Sequence, residues 1–75
     1  MNDATAIKNA LSSIQCAGEI CAVNYGPPEG TAREALAELA AEGYAYVTDA
    51  LAVLEGRPER DIERAFWKGY SAGAC

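Results

Sequence analysis

The stretch TAREALAELAAEGYAYVTDALAVLE, residues 31–55, reads as one long central helix, and the rest of the chain is arranged around it. Thr31 is followed three residues later by Glu34, the capping-box pattern in which each side chain satisfies a free amide at the helix start. Leu36, Ala40, Val47, Leu51 and Leu54 recur at the three-and-four spacing of one helical face, with Gly43 on the same line. Glu34, Glu38, Glu42 and Asp49 stand opposite them.

Working outward, Gly26-Pro27-Pro28-Glu29-Gly30 punctuates the chain just before that stretch. Two consecutive prolines cannot continue a helix, and the flanking glycines permit a sharp change of direction. Upstream, Asn2 and Asp3 are good caps for a first helix, in which Ile7, Leu11, Ile14, Gly18, Cys21 and Tyr25 form one face. The alternative ends that helix at Ala17, with Gly18 as its cap, and makes residues 19–25 a strand. A lone strand needs a partner, and the only other candidate, residues 44–48, lies inside the central helix. Helix is therefore the preferred reading to about residue 24.

Downstream, Gly56 suits a helix C-terminus and Pro58 a helix start. Glu59 and Asp61 near the beginning and Lys68 near the end follow the charge order favoured by the helix dipole. Ile62, Phe66, Gly69 and Gly73 mark the buried line, and residues 71–75 are expected to fray. The expected fold is all-α, a three-helix bundle with helices near 4–24, 32–55 and 58–71, the first two forming an antiparallel hairpin. The alternative is α+β, with short strands near 19–25 and 44–48. Gly18, Gly43 and Gly69 stand where larger apolar residues are expected; such glycines let helices approach closely, admit a partner's side chain, or end a helix.

Seventy-five residues make one small domain, close to the lower limit for a self-sufficient core. Hydrophobic residues make up 51% of the chain, but sixteen of them are alanines and only fifteen are Val, Ile, Leu, Met, Phe or Trp. Alanine favours helix and buries little surface, so closely packed helices around a thin core, and completion of that core by homodimerisation, are expected. A chain opening with Met and offering no linker is expected to be a complete small gene product.

The net charge of −5 is unevenly spread. Residues 1–56 carry eight acids against Lys8 and Arg33, whereas residues 57–75 carry Arg57, Arg60, Arg64 and Lys68 against three acids. An acidic body disfavours nucleic acid and anionic membranes as partners and favours basic protein surfaces. No run is long and apolar enough to span a membrane, and no basic segment precedes an apolar one at the start, so a cytoplasmic location is expected.

Catalysis is not expected. The chain has no His, so a nucleophilic Cys lacks its usual base. The carboxylate pairs Glu34/Glu38 and Glu38/Glu42 lie on a face where water keeps both members ionised. Cys16 and Cys21 are separated by about 140° around a helix and do not make a metal site. The prolines of GPPEG stand where a phosphate loop needs amide donors. No cofactor is expected, and Cys75 is expected to be an exposed thiol.

Two surface features remain. Glu34, Glu38 and Glu42 would be spaced by about 6 Å along one helix axis, with Asp49 extending the row by about 10 Å; together with Glu55 and, across the loop, Glu29, they give a line of negative charge coarsely like a nucleic-acid strand. Proteins that grip phosphates with Arg and Lys could be engaged by it and blocked; the bland reading is a solvated helix face. The second feature is Arg60, Arg64 and Lys68 with Trp67 and Tyr70, suited to a protein or dimer interface, to a core-capping role, or to a single-stranded nucleic acid.

Small size, acidity, the absence of catalytic residues and the acidic row resemble, in general character, the small phage-encoded inhibitors of bacterial defence, such as anti-CRISPR proteins. That resemblance carries no motif. It implies a protein partner, a CRISPR effector or other nucleic-acid-binding complex, obstructed by mimicry of DNA. The competing expectations are an antitoxin-like or scaffolding helical dimer joined through Trp67, and a nucleic-acid-binding module using the basic third helix.

Overall fold

The computed structural model describes residues 3–74, all of whose regular structure is helical. Asn2 and Cys75, named above as a cap and an exposed thiol, lie outside the described residues. The elements are α1 (Ala4–Ile20), a π-helical turn (Cys21–Tyr25), α2 (Ala32–Ala41), α3 (Ala45–Val53) and α4 (Glu59–Ala74).

Helix α1 starts where expected, with the Asp3 carboxylate accepting from the Ala6 amide at 2.7 Å. Its buried line Ala10, Ile14, Ala17 and Cys21 keeps the spacing of one face. Residues 19–25 are helix and π-turn rather than strand. The widened turn closes when Gly26 N–H donates to the Cys21 carbonyl at 2.7 Å, and Gly26, at φ +79°, then turns the chain out of the helix.

The central helix is two helices. Glu42 ends α2, and the Tyr44 amide donates to the Leu39 carbonyl at 3.2 Å while the Gly43 amide donates to Ala40 at 3.1 Å. This is the Schellman pairing, which needs a left-handed residue at the position after the cap. Gly43 supplies it with φ +108°. Among the glycines on the three predicted lines, Gly43 therefore breaks a helix, whereas Gly18 and Gly69 serve close approach. A Cβ at Gly43 would touch nothing within 4 Å, so only its backbone angle opposes substitution. Gly43→Ala is expected to destabilise by about 1–2 kcal/mol, the cost of holding an L-residue at positive φ. An unbroken helix would instead gain about 1 kcal/mol, so the sign of the change in thermal midpoint decides.

The frame of the molecule is a parallel pair, α1 with α4, not the expected antiparallel hairpin. Gly69 lies against the Gln15 carbonyl, and Gly73, one turn on, against Glu19, where an added Cβ would stand 2.8 Å from the carbonyl oxygen. Gly18 returns the contact against the Phe66 carbonyl and the Tyr70 amide. Sequence numbers rise together along both helices, which is the parallel sense. The contact of Gly73 with Glu19 and Ala22 also explains why α4 continues to Ala74, where fraying from residue 71 was expected.

The 26–30 loop does not turn a tight hairpin. Arg33, at the start of α2, bonds Glu59, at the start of α4, at 3.2 Å. Glu42, after the last turn of α2, shares a groove with Tyr25, which follows α1. The two prolines thus carry an extended segment back along α2. Between the helices, Leu36, Leu39, Val47, Leu54, Ile62 and Phe66 complete one hydrophobic cluster with the α1 line. No helix of the described residues is long and apolar enough to cross a membrane.

Candidate acidic groove

The return of the 26–30 loop along α2 encloses a groove of about 670 Å³. One wall is the exposed side of α2, carrying Glu34, Glu38 and Glu42; the other is Tyr25, Pro27, Pro28 and Glu29. Leu39 and Ala35 come through from the core at its base. Among the described residues, no Lys or Arg lines it.

Each acid is placed by the local sequence. Glu34 is the far half of the capping box: its carboxylate accepts from the Thr31 amide at 3.4 Å, and its amide donates to Thr31 Oγ1 at 3.2 Å. It contributes charge to the groove but is held by the helix start. Glu38 and Glu42 follow at the four-residue repeat, exposed and in no ion pair among the described residues. Asp49 does not join them. It sits on α3, beyond the Gly43 break, so the straight row from Glu34 to Asp49 does not exist. Glu29, the loop acid placed across from the row, lines the groove with them.

The tyrosine and the thiol of the groove are both shifted upward. Hydrogen bonding to the Tyr44 side chain, with lesser contributions from burial and the Glu42 charge, pushes the Tyr25 phenol up to about 12. Burial, followed by the Glu38 charge, pushes the Cys21 thiol up, and that thiol donates to the Gly26 carbonyl at 3.5 Å.

The second predicted cluster separates. Trp67 is 37% exposed; its indole N–H donates to Glu63 at 2.8 Å and its ring stands edge-on to Phe66, centroids 4.9 Å apart. Tyr70 packs against the same pair, 5.4 Å from Trp67. These aromatics form one cluster at the edge of the core, with Trp67 on the surface. Arg64 and Lys68 turn instead toward α1, where they line a second groove of about 560 Å³ with Lys8, Arg57 and Asp61 over Ile7, Leu11 and Ala65. Arg60 remains exposed on α4 and outside that lining.

Neither groove could be located from helical periodicity, because each is formed between segments distant in sequence. The signals available were the paired prolines, which force an extended return, and the Gly69-x-x-x-Gly73 repeat, which allows close helix contact. No protein-family model matches the chain, and neither a curated protein nor a solved structure matches it.

Proposed function

We propose that the protein is a non-catalytic binding protein that takes a basic protein segment into the groove between the 26–30 loop and α2. The observation that supports this most is the lining itself: Glu29, Glu34, Glu38 and Glu42 around a concave surface with no cation, faced by Tyr25 and two prolines. Guanidinium groups bond carboxylates through paired N–H donors and stack on aromatic faces, so arginine-rich segments fit this chemistry. Nucleic-acid-handling proteins present such segments to phosphates. Occupation of those arginines by this protein would obstruct the nucleic acid, which makes it an inhibitor by charge mimicry; an anti-CRISPR-type inhibitor of a CRISPR effector is the narrowest form of this reading. The groove itself repels nucleic acid.

Affinity capture from a bacterial lysate tests the proposal with three baits: the native chain, Glu38→Lys/Glu42→Lys, and Asp49→Lys as an acid outside the groove. The native chain and the Asp49 variant are expected to retain the same basic protein, and the double variant to lose at least tenfold of it. Equal capture by all three contradicts the proposal.

A further inference from the structure

The basic groove between α1 and α4 holds four of the six Lys and Arg residues of an acidic chain. Asp61 takes Arg57 at 3.6 Å, but Lys8, Arg64 and Lys68 have no ion-pair partner among the described residues. The groove has a structural origin. The glycine contacts bring the backbones together between residues 15–22 and residues 66–73, and the groove lies toward the starts of the two helices, along residues 4–15 and 57–68. An apolar floor of Ile7, Leu11 and Ala65, each partly buried, is left beneath a cationic rim.

The chain carries the complement of this surface. Glu38 and Glu42 are as unpaired as Lys8, Arg64 and Lys68, and beside them Tyr25 stands 53% exposed, an aromatic side chain available to cover an apolar floor. The two grooves share no lining residue, so one copy can use both at once.

We infer that the basic α1/α4 groove docks the acidic groove of a second copy of this chain, with Tyr25 of one copy on the floor formed by Ile7, Leu11 and Ala65 of the next and Glu38 and Glu42 facing its Lys8, Arg64 and Lys68. The inference rests on the reading that the acidic groove takes basic surfaces. The contact is head-to-tail, so each pair retains one free groove of each sign, and association continues beyond a dimer or closes into a ring. Exposed ion pairs are individually weak and screened by salt, which makes the assembly concentration-dependent and salt-sensitive. A basic partner then competes with self-association for the acidic groove, and dilution frees it.

Sedimentation velocity under reducing conditions tests this with the full chain and two neutralised variants, Lys8→Gln/Arg64→Gln/Lys68→Gln and Glu38→Gln/Glu42→Gln, each confirmed folded by circular dichroism. For the native chain the mean mass is expected to rise with concentration at low salt and to return to the monomer in high salt. Each variant alone is expected to remain monomeric, while an equimolar mixture forms a pair and stops there, because one groove of each sign survives. A native chain that stays monomeric at low salt overturns the inference without any variant, and so does a mixture that fails to associate. Binding of a single-stranded oligonucleotide to the basic groove without self-association also overturns it and assigns that groove to nucleic acid. The triple variant retains the acidic groove, so its binding of an arginine-rich peptide while the native chain stays monomeric would leave the proposed function standing and remove only the self-docking.

Discussion

Gly69→Ala is expected to destabilise the protein by about 3 kcal/mol or more, the upper end of the usual cost of adding a methyl group to a filled contact. A Cβ at this position would overlap the Gln15 carbonyl carbon and oxygen, which are backbone atoms of α1 and cannot rotate away as a side chain does. Sliding one helix past the other offers no escape, since Gly73 against Glu19 repeats the same offset one turn on and Gly18 sits against the backbone of Phe66 and Tyr70. Helix propensity alone predicts the reverse, a gain of about 1 kcal/mol on replacing glycine by alanine. Urea denaturation therefore separates the two by sign. A chain of this length has a total stability on the order of 4–11 kcal/mol, so the expected loss brings the midpoint down severely. An unchanged or raised midpoint would remove the parallel glycine contact as the basis of the fold.

Phe66→Ala should cost about 4 kcal/mol, within the range for deleting a buried aromatic ring. Phe66 is the largest of the fully buried side chains, and the cluster it belongs to is rich in alanines, among them Ala10, Ala17 and Ala50, which are too small to refill the space. The loss should be accompanied by a shift of Trp67 emission toward that of a solvated indole, because the Trp67 ring rests edge-on against Phe66. Parallel measurement of the denaturation midpoint and the emission maximum checks both parts. A loss below about 1 kcal/mol would mean that the core does not centre on Phe66.

The all-helical class was legible from alanine content and three-four spacing, and the capping box at Thr31 and Glu34 formed as its pattern implied. The break at Gly43 was not, for a specific reason. Ala40 and Val47 are seven residues apart, two helical turns, so the apolar line runs across the break without a change of phase. Only the backbone requirement at Gly43 distinguishes two helices from one, and a glycine in sequence does not declare its φ. The partner of α1 was hidden in another way. Periodicity marks which face is buried but not against what, and a short loop suggested α2, whereas the glycines on facing lines of α1 and α4 made that pair the closer one.

The acidic site was half legible. Glu34, Glu38 and Glu42 were correctly placed on one face, yet the wall opposite them depends on the path of the 26–30 loop, which no local pattern reports. Asp49 was assigned by extending a straight axis through a residue that turns the chain. Glu29 entered the groove because the prolines return the loop along α2.

Titration of the isotope-labelled protein with a short arginine-rich peptide, followed by amide chemical shifts, tests the acidic groove most directly. Shifts are expected at Tyr25, Glu38, Leu39 and Glu42, decreasing in salt and absent in Glu38→Lys/Glu42→Lys, while the amides of Ala45–Val53 around Asp49 stay in place. Shifts spread evenly over the acidic surface, or unchanged in the double variant, would contradict the groove as the binding site.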